Sequence, residues 1–172
     1  MGWRNQNQMT ESKVNKDPQL RDYTLILPEQ ADLLAKVYII ALTVWREARG
    51  QGHDTKVGVA WSIRNRVEKP SWWGKTYHEV VLKKWQYSSY NLKVVDPKMA
   101  DDPNACKYPE PGDASWLDCV KAVYEVLVGN SPDPTGGSTH YFDKSLDGNP
   151  PAWAKTGVFK GSIGDVRFYV AK

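Results

Sequence analysis

The feature of this sequence that most constrains its fold is an apolar stripe at helical spacing that ends in a carboxylate. The stripe begins after Pro28 and follows steps of four and three residues through Leu33, Val37, Ile40, Val44 and Glu47. Leu34, Ala41 and Ala48 widen it, and Gly50 and Gly52 predict its end. Such a face packs against a core. The sequence therefore predicts a core helix whose last turn carries Glu47.

Two more helices are expected in the first half of the chain. Asp54 is the predicted N-cap of a helix that runs to about Val67. Thr76 is the predicted cap of a short third helix, and its apolar positions are Val80, Val81 and Trp85. These elements place three helices before residue 88.

The second half combines a loop, a helix and a strand. Residues 88–114, rich in Asp, Pro, Asn and Lys, predict a long surface loop. Ser115 and Asp118 resemble a capping box that opens a helix ending at Gly129. The alternation in "DVRFYV" predicts a strand near the end. The expected fold class is α+β, mostly helical, with a small β element.

Length and patterning predict one domain with a short extension. Of the 172 residues, the first 23 are polar and weakly patterned, which indicates an N-terminal arm. Residues 24–172 are expected to form the single folded domain, because a chain of this length can bury a sizeable core without stabilising disulfides or metal ions.

The charge and the aromatic content restrict the partners. The net charge of +3 and the pI of about 8.7 come without any basic run, so nucleic acid is not an expected partner. Eight Trp and nine Tyr against three Phe fit sugar rings or interfaces, although core burial explains many such residues equally well.

No cofactor or metal is expected. The three His show no metal-ligand spacing, and Cys106 and Cys119 either pair or stay free. No apolar run is long enough to insert stably in a membrane. The polar N-terminus lacks the apolar core of a signal peptide. We therefore expect synthesis in the cytoplasm.

Glu47 is the candidate catalytic residue. Continuation of the stripe predicts partial burial, which raises the pKa of a carboxyl group. The negative end of the helix dipole acts in the same direction. Both effects favour a proton donor at neutral pH. A structural ion pair with Arg46, Arg49 or Arg64 is the alternative.

Six motifs in order resemble the cell wall hydrolase family typified by the spore cortex-lytic enzyme SleB. They are "VWREARGQ", "VGVAWSIRNRV", "EVVLKKWQYSS", "AVYEVLVGNSPDPTGGSTHYF", "PPAWA" and "IGDVRFY", between about residues 41 and 169. The resemblance implies a lysozyme-like, lytic-transglycosylase-like domain that acts on peptidoglycan, with Glu47 as the single acid and base. The family often has a second acid where this chain has Gln51, which leaves the mechanism open.

The resemblance also implies a set of substrate-binding residues near the cleft. They are Gln86, Tyr87, Ser88, Thr139, Tyr141 and Trp153. Each of them could equally have a structural role in a turn or in the core. Asn65 and Arg66 are expected to tie down a neighbouring loop instead.

The expected function is cleavage of the MurNAc–GlcNAc β-1,4 bond by a lytic transglycosylase, because only one convincing carboxylate is present. Muramidase-type hydrolysis of the same bond is the first alternative. An N-acetylmuramoyl-L-alanine amidase and a non-catalytic glycan-binding module follow. We expect a monomeric phage endolysin that reaches bacterial peptidoglycan in the wall after release.

Overall fold

A computed structural model describes residues 28–91 and 107–171. The expected arm of residues 1–23 and residues 92–106 of the expected loop lie outside this range. The described helices are α1 (Pro28–Ala48), α2 (His53–Glu68), α3 (Tyr77–Leu82), α4 (Ala114–Leu127) and α5 (Ala152–Thr156). The strands are β1 (His140–Asp143), β2 (Val158–Ile163) and β3 (Val166–Val170). The α+β class, mostly helical, is confirmed.

Helix α1 has the predicted stripe at its centre. Val37, Ile40 and Val44 are buried, and Leu33 is half-buried. The prediction for Leu34 is wrong, because 57% of this residue is exposed. Toward its C-terminal end the helix is buried on all sides, because every residue from Ile40 to Arg46 is buried, so its buried surface there is wider than the predicted stripe.

Two of the three predicted helix caps are wrong. The N-cap of α2 is Gly52, so Asp54 lies inside the first turn. The N-cap of α4 is Asp113, whose carboxylate accepts from the backbone N–H groups of Ser115 and Trp116. Asp118 is unavailable for capping because its carboxylate contacts Lys56 and His53 from α2.

The predicted cap of α3 is confirmed, but the helix is shorter than expected. Thr76 accepts from the Glu79 N–H, and the Glu79 carboxylate accepts from the Thr76 N–H. Helix α3 ends at Leu82, so Trp85 lies beyond it, with a positive φ of 71° and half of its surface exposed.

The sheet is antiparallel with the order β1-β3-β2. The predicted strand at the end of the chain is confirmed as its central strand, in which Val166 and Phe168 are buried. Tyr141 of β1 lies opposite Phe168 of β3. The inner face of the sheet packs on α2, and this contact fixes β1 relative to the helices.

Apolar residues from α1, α2, α3, α4 and β3 share one core. Within 28–91 and 107–171, no helix is long and apolar enough to cross a membrane.

Candidate active site

An open cleft lies between the helical layer and the sheet. Its volume is about 470 Å³. It is lined by Glu47, Arg66, Ser71, Trp72, Trp73, Trp85, Gln86, Tyr87, His140, Tyr141, Trp153 and Ala171. Among these described lining residues, Glu47 carries the only carboxylate.

Glu47 occupies the last turn of α1, at the edge of this cleft. The expectation of partial burial is wrong, because the side chain is exposed while Arg46 and Ala48 beside it are buried. The helix ends one residue later, so Glu47 leaves the core face and enters the cleft. Its environment is therefore set by polar neighbours at the cleft wall.

Two hydroxyl groups contact the Glu47 carboxylate. The Tyr141 hydroxyl donates to Oε2 at 3.2 Å, and the Ser89 hydroxyl lies 3.4 Å from Oε1. Burial first, and then the negative charge of Glu47, raise the pKa of Tyr141 well above its ordinary value. The Tyr141 hydroxyl thus keeps its proton and serves as a donor across the physiological pH range.

Arg66 is a buried cation beneath the cleft. Its Nε donates to the Thr139 carbonyl at 2.6 Å, and its Nη1 donates to the Gln86 Oε1 at 2.8 Å. Since a guanidinium only donates, the second contact fixes the carbonyl side of the Gln86 amide toward Arg66. The Gln86 NH₂ group is left to donate to a bound molecule.

Tyr87 supplies a second buried hydroxyl. Only 2% of the residue is exposed, and Arg66 lies over its ring at 5.4 Å. Burial raises the pKa of Tyr87, so the phenol stays protonated. Within the described part of the chain this hydroxyl has no hydrogen-bond partner. A buried hydroxyl without a partner costs free energy, and this oxygen is closed off from a ligand in the cleft.

Aromatic rings form the wall on the sheet side. His140 lies between Trp73 and Trp153, with ring centroids 5.9 Å and 5.0 Å away. Burial, and then the charge of Arg66, lower the pKa of His140 to about 4. His140 is therefore a neutral part of the wall at neutral pH.

The structure brings five of the seven predicted site residues together. The residues that line the cleft are Glu47, Gln86, Tyr87, Tyr141 and Trp153. Ser88 is exposed and is not among the lining residues, whereas its neighbour Ser89 is buried against Glu47. The Thr139 side chain is buried and contacts the His140 ring, so it also lies outside the lining.

Sequence reasoning missed Ser89, Arg66 and His140 as residues of the site. The signal for Ser89 was present in "QYSSY", but the short 3₁₀-helix Ser88–Tyr90 decides which of two adjacent serines faces Glu47. Arg66 lines the cleft besides tying down its neighbours, as Nη1 reaches Gln86.

Asn65 has the structural role expected for it. Its amide nitrogen donates to Asp133 Oδ2 at 2.9 Å and to the Ser138 carbonyl at 3.0 Å. These bonds hold the turn that leads into β1. Asn65 thereby helps to place Tyr141.

Among the described residues, no cluster of three or more His, Cys, Asp or Glu side chains could hold a metal ion. Cys119 is a buried free thiol, and burial raises its pKa to about 11. Of the two alternatives for the cysteines, the free form is therefore the one seen at Cys119, and Cys106 lies outside the described residues.

Among the described residues, the open cleft combines a carboxylate, hydroxyl groups and four Trp side chains, which suits the binding and cleavage of a carbohydrate. A family model described as cell wall hydrolase matches residues 50–169. The chain belongs to this cell wall hydrolase family and is an enzyme that degrades peptidoglycan. The matched range begins after Glu47, so the role of Glu47 rests on the geometry of the cleft.

Two solved structures share the fold. The catalytic domain of the germination-specific lytic transglycosylase SleB from Bacillus anthracis is 25% identical, with a TM-score of 0.56; the match covers 78% of this chain and 93% of that one. The catalytic domain of the Bacillus cereus SleB protein is also 25% identical, with a TM-score of 0.55 and coverages of 79% and 90%. No curated protein matches this chain.

Proposed function

We propose that this enzyme is a lytic transglycosylase that cleaves the β-1,4 bond between MurNAc and GlcNAc, with Glu47 as its acid and base. The observation that carries the proposal is the single carboxylate among the described residues of the cleft, which contacts the Tyr141 and Ser89 hydroxyls. The structural likeness to the germination-specific lytic transglycosylase SleB of Bacillus anthracis supports the same reaction.

In the first step, protonated Glu47 transfers its proton to the glycosidic oxygen. The bond between this oxygen and C1 of MurNAc breaks, and GlcNAc leaves with a free 4-hydroxyl. Positive charge develops at C1, as in other glycosidic cleavages. The Glu47 carboxylate left behind accepts from Tyr141 and Ser89, and hydrogen bonds to a charged group are the stronger ones.

In the second step, the same carboxylate acts as base. The 6-hydroxyl of MurNAc attacks C1 while Glu47 removes its proton, which closes a 1,6-anhydro ring and restores the acid. No second carboxylate is needed, since the nucleophile belongs to the substrate. A cleft with one carboxylate is therefore sufficient for the complete reaction.

Neutral donors and rings around Glu47 are suited to hold the sugar. Gln86, oriented by Arg66, offers its NH₂ group to an acetamido carbonyl or a hydroxyl. Trp153 provides a ring face for an apolar sugar face.

Hydrolysis of the same bond is the second candidate. The observation in its favour is the exposure of Glu47, which allows water to reach the carboxylate. Water in place of the 6-hydroxyl would give a reducing MurNAc end. The products therefore separate the two reactions.

Mass spectrometry of digested, purified peptidoglycan tests the proposal. We expect 1,6-anhydro-MurNAc ends; reducing MurNAc ends would establish hydrolysis instead. Release of free stem peptides from intact glycan would establish an amidase and contradict the role of Glu47.

The Glu47→Gln variant should lose activity by about 100-fold or more, the usual contribution of a general acid. Glu110→Gln is the matched control, because Glu110 is exposed and outside the cleft. Turnover retained in Glu47→Gln would refute the assignment.

We further propose that the enzyme is an endolysin, made in the host cytoplasm and active on the wall after release. Its expression in a bacterial cytoplasm should be tolerated until the membrane is permeabilised by a holin. Lysis that begins without permeabilisation would contradict this localisation.

A further inference from the structure

A second groove adjoins the cleft on the side of α3. Its volume is about 660 Å³, and it shares Ser71, Trp72 and Trp73 with the cleft. We call it the lysine groove and define it by Trp72, Lys75, His78, Leu82, Lys83 and Lys84. A molecule in the cleft could extend a branch past Trp72 into this groove.

The groove carries an excess of positive charge. Three lysines and one glutamate, Glu79, line it, so its net charge is +2 with His78 neutral. The Glu79 carboxylate already accepts from the backbone N–H groups of Lys75 and Thr76, at 2.7 Å and 3.0 Å. These bonds also lower the pKa of Glu79. The carboxylate is therefore engaged in the turn.

Two of the lysines are available to an anion. Among the described residues, neither Lys75 nor Lys83 forms an ion pair, and both are exposed. Lys84 lies near the Trp85 ring, 5.6 Å from its centroid. The charge of Lys75 also acts on the Glu79 carboxylate, so Lys83 is the lysine of the groove that is farthest from being neutralised within the described residues.

The groove also offers apolar surface. Trp72 is 58% exposed and Leu82 is 54% exposed, and both line the groove together with the lysines. Apolar and cationic side chains in one groove suit a short peptide that has aliphatic side chains and free carboxylates. A glycan strand without its peptides lacks the aliphatic side chains, and its carboxylates are confined to the lactyl groups of MurNAc.

We propose that the lysine groove binds the stem peptide of the peptidoglycan strand whose glycan lies in the cleft. This inference rests on the proposed function, because the peptide branches from the lactyl group of MurNAc. The two cavities are neighbours that share Ser71, Trp72 and Trp73, so a branch from the cleft has only a short distance to cover, and the lysines complement its carboxylates. The enzyme would thereby select strands that still carry their peptides.

A titration with a purified stem tetrapeptide, followed by NMR, tests the groove without any cleavage. We expect the wild-type chain to bind it, with shifts at Trp72 and Lys75. The Lys75→Gln/Lys83→Gln double variant should bind about 3- to 10-fold more weakly, since exposed charge pairs contribute little individually. A tetrapeptide with amidated carboxylates should also bind more weakly.

The matched control is the Lys121→Gln/Lys144→Gln variant, which removes the same charge from exposed sites outside both cavities. It should bind the peptide as the wild type does. The proposal is overturned if the wild type does not bind, if both double variants weaken equally, or if amidation has no effect.

A kinetic comparison separates this proposal from the proposed function. On peptide-bearing glycan, Lys75→Gln/Lys83→Gln should raise KM about 3- to 10-fold, whereas on glycan stripped by an amidase its KM should equal that of the wild type. An equal rise on both substrates would contradict a peptide site. If the wild type cleaves neither substrate, the proposed function fails, and the titration still decides the groove.

Discussion

At the scale of single residues, Tyr141 and Ser89 reach Glu47 from different parts of the chain. Tyr141 comes from β1 and Ser89 from the short 3₁₀-helix after α3. Both groups donate to the carboxylate, so they stabilise the ionised form that exists after proton transfer. The cleft thus supports the charged carboxylate without burying it.

Replacement of Tyr141 by Phe should lower kcat by about 10-fold or more, because it removes one hydrogen bond to a charged group. KM should change little. Tyr169→Phe is the matched control, since Tyr169 is also on the sheet but does not line the cleft. A kcat equal to that of the wild type would show that Tyr141 only fills space.

Because His140 is buried, we expect the free energy of unfolding to decrease in acid. Its pKa is lowered to about 4 in the folded state from an ordinary 6.5, so only the unfolded chain binds the proton between these values. Stability is therefore lost as the pH falls from 6.5 to 4, by roughly 3 kcal/mol for this residue. In denaturant unfolding, the free energy of unfolding of His140→Gln should therefore fall less steeply between pH 6.5 and 4 than that of the wild type. An equally steep fall in the variant would refute this role of His140.

At the scale of elements, His53 joins α2 to α4. Its Nδ1 lies 2.6 Å from Asp118 Oδ1, and its Nε2 lies 3.0 Å from Glu125 Oε2. Lys56 reaches the other oxygen of Asp118 at 2.7 Å. Burial lowers the pKa of His53, but the hydrogen bonds to Glu125 and Asp118 outweigh this effect and raise it. Protonated His53 thus holds two carboxylates of α4 together.

The contribution of His53 should be present below pH 6.5 and lost as the pH rises through its raised pKa. The Tm of His53→Gln should therefore fall below that of the wild type at pH 5.5, and the gap should narrow above neutral pH. His78→Gln is the control, because His78 is exposed on α3. A gap independent of pH would show that the ring acts only by packing.

At the scale of the whole molecule, the site depends on the contact between the helices and the sheet. Glu47 belongs to α1 and Tyr141 to β1, and α2 carries the contact between these layers. Gly58 of α2 allows Phe168 to approach closely, because a Cβ there would lie 2.8 Å from its Cζ. The position of Tyr141 beside Glu47 is therefore a consequence of close packing at Gly58.

Gly58→Ala should destabilise the fold by about 1–3 kcal/mol, the usual cost of overpacking a core. It should also lower kcat, because the sheet must shift relative to Glu47. Gly148→Ala, where an added Cβ meets nothing within 4 Å, is the matched control. Thermal unfolding and kinetics of both variants measure the effect, and a Gly58→Ala variant as stable and active as the control would contradict it.

The sequence by itself determined the helix of Glu47, the cap at Thr76, the central strand and the family. These features follow from periodicity, local hydrogen bonding and ordered motifs, all of which are local in the chain. Only the tertiary structure decided that Glu47 is exposed, that Ser89 rather than Ser88 contacts it, and that Asp118 contacts Lys56 instead of capping α4. Each of these depends on contacts between residues distant in sequence, such as Asp118 with Lys56 and Tyr141 with Glu47. Such contacts form only when the whole core packs, so no local pattern encodes them.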